Sequence, residues 1–251
     1  MVLTWRQRRK YMYLAVLAVF AVFLLLFIWQ KFLHTTPTCF DGAKNGMERG
    51  VDCGGSCALV CQGESRAPTV LWARAFPSAT GAATAAAYVQ NNMAGSGARG
   101  VRYSFQLFDQ DNTLIVEKTG ITDLPPNQII PIIETNIDVG NRSVARTQFT
   151  FSQSPVWVKV PAGVVAPLRL SGQALSGDGT RLSATVHNDS LDNVPRVTLV
   201  AVLFDTDGVA RAASKSVVQS LTPKSSQNVV FTWGPSTPNV ARAEITILPE
   251  F

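Results

Sequence analysis

Acidic residues are missing from the start of this 251-residue chain, and charge of either sign is scarce throughout it. Asp, Glu, Lys and Arg make up only 16% of the residues, against 46% hydrophobic ones, which excludes a disordered or coiled-coil protein. There are two histidines, and no cysteine follows Cys61. The net charge of +5 suggests a nucleic-acid binder until the charge is located. Residues 1–34 hold Arg6, Arg8, Arg9, Lys10 and Lys31 and no Asp or Glu. Setting those five aside leaves 17 Lys and Arg, equal to the 17 Asp and Glu of the whole chain. The remainder is neutral, so the basic patch that nucleic-acid binding needs is absent. Gly-x-Ser-x-Gly, His-Glu-x-x-His and Walker sequences are absent too, which argues against an enzyme. His187, in a strand, reads as an ordinary polar residue, and His34 falls at the membrane boundary.

What is there begins with a hydrophobic run. No charge interrupts Tyr11 to Trp29, a stretch of about 28 Å as a helix, close to the thickness of a bilayer core. The cluster Arg6–Lys10 before it predicts a cytoplasmic N-terminus (1–10), a membrane helix over 11–33 and an exported remainder. A cleaved signal peptide would have a shorter apolar core and a small-residue cleavage site; Gln30-Lys31-Phe32-Leu33-His34 offers none, so an uncleaved signal-anchor is expected.

All four cysteines, Cys39, Cys53, Cys57 and Cys61, fall inside the next segment, 35–66. So short a segment buries too little apolar surface to fold unaided, and an exported location permits disulfides. The spacing lacks the paired arms of a zinc ribbon, so two disulfides are expected, in any of three pairings. Asp41, Asn45, Glu48 and Asp52 supply hard oxygen donors among Gly42, Gly46 and Gly50. Two readings stay open for them: calcium ligands, or caps that hold turns through nearby amides. No other cofactor is expected.

Residues 68–160 and 168–251 read as two β domains. Val101, Tyr103, Phe105 and Leu107 alternate with polar residues, the mark of a half-buried strand. Further strands are expected at 70–76, 84–91, 113–119, 128–137, 145–152 and 156–160. The second domain offers 168–175, 181–188, 196–205, 210–218, 226–232 and 241–248. Asn91 aligns with Asn188, Leu107 with Leu203 and Leu124 with Leu221 at offsets of 96 or 97, which reads as a tandem duplication. So many short strands between turn residues predict a mainly β protein with two tandem immunoglobulin-like sandwiches. The Pro-bounded linker 161–167 suggests end-to-end packing. Val200 and Val202 lie opposite the inward face of their strand, where solvent-facing residues are polar in the first copy. They are expected to be covered by the first domain or a loop, or to form a docking surface for another protein or a second copy.

Cys39-Phe-Asp-Gly-Ala-Lys-Asn45-Gly-Met-Glu48-Arg-Gly-Val-Asp52-Cys53-Gly-Gly-Ser-Cys57 resembles the C-x-D-G-x-x-N-x-x-E-x-G-x-D-C-G-G-x-C motif of secreted and surface-anchored bacterial proteins. Phe105-x-Leu107-Phe108-Asp109 is similar to the F-x-L-Y-D signature of small bacterial extracytoplasmic sandwich domains, with Phe108 for Tyr; the second copy keeps Leu203-Phe204-Asp205. Together they resemble single-pass bacterial surface proteins, candidate-phyla lineages included. The resemblance implies a non-enzymatic, membrane-anchored structural or protein-interaction module of the cell surface. Its expected partners are the lipid bilayer and another envelope protein or a second copy. The alternative is an accessory or sensing subunit of an envelope complex such as a secretion, pilus or division apparatus.

Overall fold

The computed structural model describes residues 5–30, 37–79, 81–161, 168–234 and 240–248. The linker residues 162–167, His34 and the last part of the expected membrane segment, 31–33, lie outside the described residues. Helix α1 (Trp5–Ile28) is apolar on every side from Tyr11 onward and none of its residues is buried. A helix without a polar face has nothing to turn toward water. It is long and apolar enough to cross a membrane. Its first turn and a half carries the basic cluster, so the helix begins before the apolar run.

The chain divides into two compact units, Met1–Cys57 and Ala58–Phe251. The boundary cuts the expected 35–66 segment. Residues 58–60 already belong to the second unit, where Val60 N–H donates to Trp157 O and Lys159 N–H to Ala58 O.

Among the described residues of the second unit thirteen strands form. The first seven are β1 (Thr69–Ala79), β2 (Ala82–Gln90), β3 (Ser96–Phe108), β4 (Leu114–Leu124), β5 (Ile129–Asp138), β6 (Arg146–Phe151) and β7 (Val158–Lys159). The next six are β8 (Leu168–Leu175), β9 (Arg181–Asn188), β10 (Val197–Phe204), β11 (Ala210–Val218), β12 (Ser226–Thr232) and β13 (Arg242–Leu248). Sheets β1-β2-β5 and β4-β3-β6 enclose the first core; sheets β8-β9-β12 and β11-β10-β13 enclose the second. The order is the same in both sandwiches, strand for strand, and every neighbouring pair is antiparallel. The expected 156–160 strand is present as the two-residue β7, which does not lie beside β6. Tyr103 pairs with Phe151 and Gly97 with Val158, so β7 continues the line of β6 along β3.

The period-2 pattern explains the two cores. Val101, Tyr103, Phe105 and Leu107 of β3 face Ala85, Ala87 and Val89 of β2; Val197, Leu199, Ala201 and Leu203 of β10 face Leu182, Ala184 and Val186 of β9. Neither sandwich contains a cysteine, so apolar burial holds each together.

The two sandwiches do not pack end to end. Sheet β1-β2-β5 of the first lies against sheet β11-β10-β13 of the second, making four β layers. Phe76, Ala86 and Ile133 meet Val200, Val202, Phe204, Ala210 and Ala213 in a third apolar cluster. Val200 and Val202 are 0% exposed, so the face proposed for docking is covered from within the chain. The central strands β2 and β10 are thus buried on both faces, as in sheets covered on both sides. At one edge of this contact Trp72 stacks on Tyr88 at 4.7 Å, and Phe204 meets both rings edge-on at 6.5 and 6.1 Å. Arg242 lies 4.6 Å over Phe204 and pairs with Glu244 at 3.1 Å, and Tyr88 donates its phenol proton to Glu244 at 3.1 Å.

Replacing Val200 and Val202 together with Thr buries two hydroxyls in this apolar contact, at roughly 1–3 kcal/mol each. Denaturant unfolding should show a loss of about 2–6 kcal/mol, with the association state in solution unchanged. Unaltered stability with weakened self-association would return the face to a docking role.

Candidate functional site

The cysteine module of the first unit is built around its acidic side chains. Asp52 Oδ1 accepts from the amides of Asp41 at 3.0 Å and Gly42 at 3.2 Å, and its Oδ2 from Gly42 at 3.0 Å. Asp41 accepts from the Ala43 amide at 3.0 Å, the Thr38 amide at 3.2 Å and the Asn45 side chain at 2.8 Å. The Asn45 donor, then the amides, hold the Asp41 carboxyl below the usual carboxylate range. Glu48 Oε2 accepts from the amides of Asn45 and Asp52, both at 3.3 Å. All four residues singled out as oxygen donors therefore come together, and their hydrogen bonds tie the module's turns to one another. Backbone amides in such turns have no ladder partner, so a short carboxylate is the cheapest way to satisfy them.

Cys39 is bonded to Cys57, closing 18 residues, and Cys53 and Cys61 are disulfide-bonded as well, which leaves no free thiol. A loop of that size contributes about 3 kcal/mol by restricting the unfolded chain. Cys39 and Cys57 converge on Glu48, but in a disulfide they have no thiolate to give a metal. Gly55 of the Cys-Gly-Gly-Ser-Cys run explains itself physically. It adopts φ +55°, and a Cβ there would fall 1.7 Å from the Met47 carbonyl oxygen.

Corresponding polar residues recur in the two sandwiches. Asn91 is 3% exposed; its amide group donates to Ser96 O and Pro125 O, and its Oδ1 accepts from the Met93 amide. Asn188 is fully buried; it donates to the carbonyls of Asp192, Leu221 and Thr222, and accepts from the Ser190 amide. Each clamps the loop after its strand to the loop before the sheet partner. Asp109 and Asp205 likewise each accept from the amides two and four residues on, closing the turns that follow β3 and β10. They are turn residues.

His187 sits 2.7 Å from the hydroxyl of Ser171 across β8 and β9. The pair is partly exposed on a sheet face, and no carboxylate hydrogen-bonds the imidazole among the described residues. A nucleophile needs a base that a third group orients, so the pair lacks the hydrolytic arrangement.

Between the sandwiches opens a cleft of about 340 Å³. On one wall Tyr103 donates to Glu134 at 2.8 Å; burial pushes its phenol up, and the Glu134 charge adds to this. Tyr103 crosses its β4 partner at Gly120, where a Cβ would come within 2.4 Å of the ring. Arg196 and Lys215 line the opposite wall. The aromatic contact of Trp72, Tyr88 and Phe204 and its Arg242–Glu244 neighbour are not among the residues the sequence motifs single out. Their signal is the run Ala82–Val89, which is apolar at nearly every position instead of at alternate ones.

No family model matches this chain, and no curated protein does. Among solved structures, red sea bream transglutaminase is similar at a TM-score of 0.26 and 10% identity, over 74% of this chain. The match spans 30% of that chain's own length.

Proposed function

We propose that this protein is a non-enzymatic, single-pass membrane-anchored module of the bacterial cell surface, with residues 35–251 outside the membrane and a binding or structural task. The carrying observation is α1: apolar all round, preceded by Arg6, Arg8, Arg9 and Lys10, and followed by a module whose cysteines are all oxidised. Basic residues stay on the cytoplasmic side, and stable disulfides form outside it. The two sandwiches share strand order, a buried Asn and a turn-closing Asp, which supports origin by duplication and a scaffold in place of a reaction centre. Protease added to intact spheroplasts should digest the sandwiches and leave a short membrane-bound stub. Full protection of the chain would overturn the topology, and release of an intact soluble ectodomain would make α1 a cleaved signal sequence.

The Asp41, Asn45, Glu48 and Asp52 cluster works on this reading as a set of turn caps, because its carboxylates already serve backbone amides. One atom favours calcium: Asn45 Oδ1 is buried without a hydrogen-bond donor. Calorimetry on the oxidised chain should give no saturable heat up to millimolar calcium. A stoichiometric site that Glu48→Gln abolishes would make the cluster a calcium site.

A further inference from the structure

We propose that the free edge of β6 in the first sandwich receives an extended acidic peptide segment of another protein, which lies in the groove between β6 and β1. The inference rests on reading the protein as a binding module and names the kind of partner.

In an immunoglobulin-type sandwich the last strand runs beside the strand that β6 represents. Here that place is only half filled. The chain covers the outer side of β7 with its own residues 58–60, through Lys159 N–H to Ala58 O, Val60 N–H to Trp157 O and the Leu59–Val158 bridge. This cover stops there. Among the described residues β6 pairs with β3 alone, and β1, which borders the same opening from the other sheet, pairs with β2 alone. An uncovered strand edge is a row of unpaired amides and carbonyls, and an incoming strand satisfies them.

Two adjoining hollows of about 340 and 380 Å³ lie along this opening. They share Ala75, Phe76 and Val144, so they form one groove that follows β1. The floor is apolar and its alanines leave room for incoming side chains. Arg74, Arg142 and Arg211 line the groove, and among the described residues no Asp or Glu does. Arg211 is neutralised by Asp205 at 2.6 Å. Arg142 donates to the uncharged carbonyls of Leu114 and Ile115, so its charge stays uncompensated, and among the described residues the Arg74 guanidinium has no hydrogen-bond partner. The backbone row selects an extended peptide, and the arginines select acidic side chains in it. Pairing along β6 and the residue before it needs about seven residues, roughly 23 Å of strand.

The test selects dodecamers from a random displayed library on the detergent-solubilised full chain, then measures the synthesised winners by fluorescence polarisation and hydrogen exchange. The winners should be rich in Asp and Glu and slow amide exchange over residues 145–151. Arg74→Glu should weaken them at least tenfold, while Arg74→Lys and the distant Arg181→Glu change little; the thermal midpoint of Arg74→Glu should match the parent. Absence of winners, winners without acidic excess, protection elsewhere, or equal binding to Arg74→Glu would each overturn the proposal. The assay is blind to membrane orientation, so its failure is separate from failure of the anchored topology.

Discussion

The contact between sheet β1-β2-β5 and sheet β11-β10-β13 decides how the two sandwiches of the second unit are arranged. A sandwich normally hides one face of each sheet and shows the other to water. Here one sheet of each sandwich hides both. Val200, Val202 and Phe204 on one side, and Phe76, Ala86 and Ile133 on the other, form a core as dry as those inside the sandwiches. Exposing such a face would lose roughly 1.5–3 kcal/mol for each large side chain. Two β domains joined by a short linker are thereby turned into one four-layer body. The edges and loops, and not the interior faces, are then left for recognition, which is where the groove beside β6 lies.

The cysteine module obeys a different constraint. It has no core, and Phe40, Met47 and Val51 remain largely exposed. Its order comes from two disulfides and from carboxylates that take the place of a β ladder for the turn amides. Gly55 shows how narrow that solution is, since the Met47 carbonyl occupies the space of any side chain.

Much of this architecture is legible in the residues. Alternation along Val101–Leu107 and Val197–Leu203 marks the core faces, and the turn residues mark the strand ends within a few positions. The matched Asn91 and Asn188 reach the same structural role in both sandwiches. The mode of packing between the sandwiches is not read from the linker, whose residues 162–167 say only that the connection is short. It is written instead in Ala82–Val89 and Val197–Phe204, where apolar residues fill successive positions. The valines at 200 and 202 stand out where polar residues belong; the alanines of β2 do not, because alanine is neutral in any pattern of polar and apolar residues. The aromatic contact brings Phe204 to Trp72 and Tyr88, more than a hundred positions away, so the apolar run of β2 marks a covered face but does not name the partner. The open edge of β6 is likewise a property of topology, visible only once β7 is seen to continue β6.

If the two sandwiches are one cooperative body, they open together. Native-state hydrogen exchange measures this directly, by comparing the opening free energies of amides in Ala85–Tyr88 of β2 and Val200–Val202 of β10. A shared value, equal to that of global unfolding, is the result the four-layer body requires. Exchange of the second sandwich at clearly lower free energy, with the first still protected, would contradict it and leave two independent domains that merely touch.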